Sequence, residues 1–219
     1  MLNLSKKKKY YRLEALMRYA NILGFEDVHI KMDRHSGLQA IVAIHNIDLG
    51  PAIGGCRFIH YDSTGPALKD ALRLAYMMTL KAAISGLPHG GAKAVILAPR
   101  KINNRTALFN AFGDFVHELN GKYITACDSG TSTADMDIIA TRTPYVIGAA
   151  GARQFESNPA IHTAKGVFMG LRAAVKHQLN QDNLTGLRVA IQGAGAVGYE
   201  LAALLHNVGA FITICDTKT

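Results

Sequence analysis

The chain has 219 residues, 49% of them apolar, which is enough for one large domain or two small ones with a substantial core. Its longest apolar stretches, such as AVILA and AVGYELAALL, fall far short of the ~20 residues that cross a bilayer, and no apolar run follows the N-terminal lysines, so no membrane partner and a cytoplasmic location are expected. A formal net charge of +8 permits nucleic-acid binding, but apart from Lys6–Lys9 the charge is scattered and no helix-turn-helix, RRM or KH pattern appears; attraction to small anionic molecules is an adequate use for it, and no specific nucleic acid is expected.

Taken in chain order, YYRLEALMRYANILGF carries apolar residues at helical spacing and stops at Gly24, the signature of an amphipathic helix. DVHIKMD and LQAIVAIHN flank the polar RHSG as two strands of a hairpin, and GPAIGGCRFIHY continues as a third extended segment with a glycine pair in its middle. A long helix is predicted next, its apolar positions running from Leu68 to Ile84, with Pro66 near its start and Gly86 past its end. KAVILAP reads as a short buried strand that Lys93 leads into, RTALFNAFGDFVHELNG as a capped helix, and KYITACDSG as a strand ending in polar residues. STADMDIIATR predicts a short helix with Ser132 or Thr133 at its N-cap. The irregular GARQFESNP marks a boundary between domains at 1–150 and 151–219, after which a helix runs from Pro159 to Leu179. Cys56, Cys127 and Cys215 are too far apart, and lack the spacing, for a disulfide framework or a metal site.

The last segment, LRVAIQGAGAVGYELAALLHNVGAFITICD, reads as strand, glycine turn, helix, strand. Gly193, Gly195 and Gly198 form G-x-G-x-x-G, with Ala196 and Val197 opening the helix. The first glycine allows a tight turn, the second a close approach to a pyrophosphate, and the third a close fit of helix on strand. Asp216 follows Gly198 by 18 residues, at the end of the second strand, where a carboxylate binds both ribose hydroxyls; this favours NAD over NADP, whose 2'-phosphate it would repel. Only the first strands of such a nucleotide-binding fold are present in the sequence.

With GPAIGGCR, MTLKAAISGLPHGGAK, YITACDSGTSTADMD, NPAIHTAKGV and VAIQGAGAVG in that order, the sequence resembles the glutamate, leucine, phenylalanine and valine dehydrogenase family, its leucine-specific members most of all. The resemblance implies an α/β fold: an N-terminal mixed-sheet domain for catalysis and oligomerisation, then an incomplete Rossmann domain for NAD, with a catalytic cleft between them. It implies a homo-oligomer, and oxidative deamination of an L-amino acid to a 2-oxo acid and ammonia. Position by position, Gly54 and Gly55 match glycines that bring the backbone close to the substrate, and Lys81 the lysine that binds its α-carboxylate. Lys93 matches the catalytic base, its amine tuned by burial and a neighbouring cation, for which Lys81 is the natural choice. Asp128 matches the carboxylate that exchanges protons with the substrate nitrogen, and Thr163 a threonine near the nicotinamide carboxamide. Ile53 stands where glutamate-specific relatives place a lysine, and Ala126 matches another pocket position, so the side-chain pocket should be apolar and should suit leucine, valine, isoleucine or phenylalanine. The sequence departs from the leucine-specific pattern at Cys127 and Ser129, which flank Asp128, and at Lys165, an added cation near the expected cofactor. The expectation is an NAD-dependent branched-chain amino-acid dehydrogenase represented by a fragment, or alternatively a non-catalytic assembly protein that retains the N-terminal domain.

Overall fold

The computed structural model describes residues 14–149 and 159–217. The Lys6–Lys9 run and most of the GARQFESNP boundary lie outside the described residues. The chain divides into two units, Met1–Phe155 and Glu156–Thr219.

In the first unit, helix α1 is described over residues 14–22 and ends at Gly24, whose φ of 70° suits a residue without a side chain. The hairpin strands follow as β1 (Asp27–Asp33) and β2 (Leu38–Asn46), paired antiparallel around a turn that Asp33 closes by accepting from the Ser36 backbone N–H at 3.0 Å. Strand β3 (Ala52–Ile59), helix α2 (Thr64–Ile84) and strand β4 (Gly90–Leu97) form one parallel crossover, and helix α3 (Arg105–Glu118) leads to strand β5 (Tyr123–Cys127) and helix α4 (Thr133–Ala140). The five strands lie in the order β1-β2-β4-β3-β5, with β2–β4 antiparallel and β3 parallel to both β4 and β5.

From β3 the chain moves one way across the sheet to β4, then back past β3 to β5. Right-handed crossovers made in opposite directions put their helices on opposite faces. Accordingly α2 covers one face, packing Ala67, Leu68, Ala71, Leu72 and Ala75 on Ile41, Ala43 and Val95, while Phe109, Phe112 and Val116 of α3 pack on Val42, Cys56, Ala94 and Ile96 of the other. Each fully buried large side chain contributes about 1.5–3 kcal/mol. Asn104 caps α3 by accepting from the Ala107 N–H, and Ser132 and Asp135 cap α4 reciprocally, as the short polar run before that helix predicts.

One strand boundary differs from the sequence reading. Strand β4 begins at Gly90 and not at Lys93, which is its fourth residue, in mid-strand. A Cβ on Gly90 would fall 1.7 Å from the Asn46 carbonyl oxygen, and one on Gly91 2.1 Å from the Thr79 nitrogen. The glycines are there because β2 and α2 press against this end of the strand.

The second unit holds helix α5 (Pro159–Leu179), strand β6 (Arg188–Gln192), helix α6 (Ala196–Asn207) and strand β7 (Phe211–Cys215), with β6 and β7 parallel. Its core is a cluster of Leu184, Ile191, Leu205 and Ala210. Asp216 lies one residue beyond the end of β7. Among the described residues no helix is long and apolar enough to cross a membrane.

Candidate active site

Side chains alternate along a strand, so Gly91, Lys93 and Val95 share the face of β4 on which α2 lies. The parallel register sets Ile53 of β3 beside Gly91 and Ile124, and Gly55 beside Ala126, while Arg57, two residues on, reaches α2. Ile53, Gly55, Ala126 and Lys93 are thereby brought to one face. Gly54 points the other way: a Cβ there would fall 1.7 Å from the Ala92 carbonyl oxygen, and its own carbonyl accepts from the Tyr123 hydroxyl at 2.7 Å. On Gly55 a Cβ would stand 2.7 Å from the Cys127 carbonyl oxygen and 2.9 Å from the Asp128 Cβ. Gly55 therefore makes room for Cys127 and Asp128, and Gly54 for the neighbouring strand.

Asp128 follows β5 directly and is held by the loop it opens. Its backbone N–H donates to Thr131 Oγ1 at 2.8 Å, the Phe58 N–H donates to the Ser129 carbonyl at 2.9 Å, and Arg105 donates to the Gly130 carbonyl at 2.9 Å. Arg105 also grips the buried Asp135 through two nitrogens and lies over the rings of Phe58 and Phe109 at 4.8 and 4.9 Å.

The charged groups form a chain. Lys93 Nζ lies 3.1 Å from Asp128 Oδ2, and the same oxygen accepts from Arg57 Nε at 2.8 Å. Arg57 Nη1 donates to Asp70 Oδ2 at 2.7 Å, and Asp70 also accepts from the Tyr61 hydroxyl at 2.8 Å and from Arg73 at 3.0 Å. Both cations lie on Asp128 Oδ2, and among the described residues Asp128 Oδ1 accepts no hydrogen bond. The Lys93 side chain is only 6% exposed. Burial holds its amine below the usual lysine value; the attraction of Asp128 opposes this, and the Arg57 charge adds to it. For Asp128, burial alone would raise the carboxyl, but the Lys93 and Arg57 cations hold it below its usual range. The result is an anionic carboxylate beside an amine whose affinity for its proton is lower than that of an ordinary lysine.

The cation that bears on Lys93 is Arg57. Lys81, in the last turn of α2, is exposed, and among the described residues its ammonium makes no side-chain hydrogen bond or ion pair. The sequence reading passed over Arg57, Asp70, Tyr61 and Arg73. The signal for Arg57 was its place two residues after Gly55, hence on the same side of the strand.

The remaining residues of the expected site lie in the second unit. Thr163 is exposed on α5, its hydroxyl donating to the Pro159 carbonyl at 2.8 Å. Gly193 has φ 97°, and a Cβ on Gly198 would fall 2.0 Å from the Gly193 carbonyl oxygen, the close helix-strand fit that the third glycine of the motif provides. Gly195 is the N-cap of α6 and supplies no side-chain cap; a Cβ there would meet nothing within 4 Å. The N–H groups at Ala196, Val197 and Gly198 open the helix, and a helix start of this kind receives a phosphate. Asp216 Oδ2 accepts from the Ala194 N–H at 2.7 Å, which fixes the acid against the glycine turn. The turn and the acid together fit a dinucleotide.

Residues 25–145 match the family profile described as Glu/Leu/Phe/Val dehydrogenase, dimerisation domain. The chain belongs to the Glu/Leu/Phe/Val dehydrogenase family. Among its family relatives, leucine dehydrogenase of Geobacillus stearothermophilus is 48% identical over 92% of this chain and 55% of its own length. Valine dehydrogenase of Streptomyces virginiae is 42% identical over 89% of this chain and 54% of its own. The crystal structure of L-tryptophan dehydrogenase from Nostoc punctiforme superposes with a TM-score of 0.66 at 38% identity, covering 91% of this chain and 56% of that one. The chain thus spans about half the length of these relatives. Their alignments reach well beyond residue 145, so the likeness takes in the second unit as well as the dimerisation domain.

Proposed function

We propose that the protein is an NAD-dependent dehydrogenase of apolar L-amino acids, deaminating them to 2-oxo acids and ammonia as part of a homo-oligomer. The observation that carries this reading is the buried Lys93 amine 3.1 Å from Asp128, on a sheet face that also carries the partly exposed Ile53, Ile124 and Ala126. In this reading Lys81 binds the substrate carboxylate, and the side chain lies against Ile53 and Ala126, where a second carboxylate would find no partner. Asp128 Oδ1 takes the substrate ammonium and exchanges protons with its nitrogen. NAD, when bound, supplies the acceptor for the α-hydrogen as hydride. Lys93, neutral, takes a proton from the water that adds to the α-carbon and, once protonated, stabilises the negative oxygen that develops there. Gly193, Gly195, Ala196, Val197 and Gly198 would hold the pyrophosphate, Asp216 the adenosine ribose, and Thr163 the nicotinamide end.

The names of the leucine and valine dehydrogenase relatives support the substrate class, and the description of the matched domain as a dimerisation domain supports self-association. The unbridged thiols of Cys56, Cys127 and Cys215 suit a reducing compartment, and we place the protein in the cytoplasm.

The test is NADH formation from L-leucine, L-valine, L-phenylalanine and L-glutamate, with Lys93→Ala run alongside. Turnover of the apolar substrates, little of glutamate, and a loss of about 10²-fold or more in kcat for Lys93→Ala are expected. Equal activity of Lys93→Ala removes the proposed base. Silence from both proteins, with self-association intact, favours a non-catalytic assembly role.

A further inference from the structure

The ion chain that ends at Lys93 runs through Arg57, which has no part in the chemistry described above. Arg57 comes from β3, Asp128 follows β5, Asp70 sits on α2 and Lys93 lies in β4, so four separate segments meet at one guanidinium and one carboxylate. Arg57 does not point at the open oxygen of Asp128. Its Nε shares Oδ2 with Lys93, and its Nη1 is tied to Asp70. Asp70 is itself fixed by Tyr61 and Arg73, so the guanidinium is held at both ends and its plane is set.

The charge balance is informative. With Lys93 protonated, Arg57, Arg73 and Lys93 face Asp70 and Asp128, one cation in excess. With Lys93 neutral, the two arginines balance the two carboxylates. An arginine keeps its charge across the working range of any lysine base. Were Arg57 absent, Lys93 would be the counter-ion of Asp128 and would keep its proton to serve as one. The groups that bear on Lys93 electrostatically are Asp128 after β5 and Arg57 and Cys56 on β3; its antiparallel neighbour on β2 is Ala43, which carries no charge.

We propose that Arg57 is a positioning residue: it is the permanent counter-ion of Asp128, it releases Lys93 from that duty so that the amine can cycle between charged and neutral forms, and it locks Oδ2 so that Oδ1 faces the substrate nitrogen. This rests on the reading of Lys93 as the base. The depression of the Lys93 amine by the Arg57 charge agrees with it.

The test follows the Lys93 side chain itself and needs neither turnover nor bound cofactor. The Lys93 Cε resonance is titrated with pH in the intact 13C-lysine-labelled chain and assigned by its loss in Lys93→Met. Circular dichroism checks the folding of every variant. In the wild type the midpoint is expected below that of free lysine. In Arg57→Leu it is expected to move alkaline by about one pH unit or more, a roughly tenfold shift in the neutral fraction at a given pH below the midpoint. Arg57→Lys, which keeps the charge, should return the midpoint most of the way, whereas Arg57→Gln, which keeps a donor without the charge, should not. If Arg57→Leu fails to fold, the Lys and Gln variants decide the question.

A midpoint indifferent to Arg57 in folded protein, or Lys and Gln variants that titrate alike, overturns the inference and leaves Lys93 as a base tuned by burial alone. A wild-type midpoint no lower than that of free lysine overturns the base reading as well. The two failures are thus distinguishable.

Discussion

Lys93 is the residue on which stability and chemistry pull in opposite directions. Its amine is depressed in the folded protein below the ordinary value of 10.5, chiefly by burial, so the unfolded chain binds that proton more tightly. Stability therefore rises as pH climbs from the folded-state value toward 10.5, and at neutral pH the buried ammonium destabilises the fold. Asp128 has the opposite sign: its carboxyl is lowered, so its contribution is fully present above the usual carboxylate range and is lost as pH falls through the folded value. Lys93→Met keeps the length of the side chain, removes the charge and leaves Asp128 paired with Arg57. It should raise the melting temperature at neutral pH by a few degrees and, if Lys93 is the proposed base, remove turnover, a trade between activity and stability seen where a site holds a buried charge. Thermal melts at pH 7 check this; a lower melting temperature would show that the ion pair with Asp128 outweighs the burial of the amine.

At the level of elements, glycines carry two different duties, and the structure separates them. Gly198 is needed by the fold, because a Cβ there would fall 2.0 Å from the Gly193 carbonyl. Gly195 is spatially unconstrained by the protein, with nothing within 4 Å of a Cβ. Gly195→Ala should therefore fold normally and, on the proposed reading in which the pyrophosphate approaches this turn, bind NAD at least tenfold more weakly. Gly198→Ala should destabilise the second unit by about 1–3 kcal/mol. Calorimetric titration with NAD, paired with denaturant melts, distinguishes the two; Gly195→Ala binding as tightly as wild type would remove the turn from the cofactor site. The hairpin, the capped helices and the glycine turn were legible in the sequence because each is written in a local pattern. The start of β4 was not, because Gly90 and Gly91 look like turn residues until Asn46 and Thr79 are seen beside them. Arg57 was hidden for a related reason: its partners Asp70 and Asp128 are 13 and 71 residues away, and no local pattern records such a meeting.

On the scale of the molecule, the two units differ in how much core supports them. The first has two helix layers on a five-stranded sheet, with Val42, Cys56, Ala94, Val95 and Ile96 fully buried. In the second, two strands and two helices share the Leu184, Ile191, Leu205 and Ala210 cluster, and Tyr199, Phe211 and Ile214 remain exposed. A two-stranded sheet is weakly stable without further packing. Amide hydrogen exchange should accordingly protect β2, β3 and β4 by at least about tenfold more than β6 and β7, and matching protection in both would show that the second unit folds as firmly as the first. The order of the strands was beyond the sequence reading, because it depends on pairings between distant segments and on the direction of each crossover.

That protection bears on how the protein would fail. Lys93 is the fourth residue of a strand hydrogen-bonded on both sides, and its neighbours Ala92 and Ala94 are rooted in the core beneath α3. Many enzymes carry their reactive groups on loops that loosen before the body melts. Here the amine has no such independent freedom, and it keeps its place for as long as the sheet does. On the proposed reading of Lys93 as the base, its loss on heating is then a folding event, proceeding in step with the loss of β4.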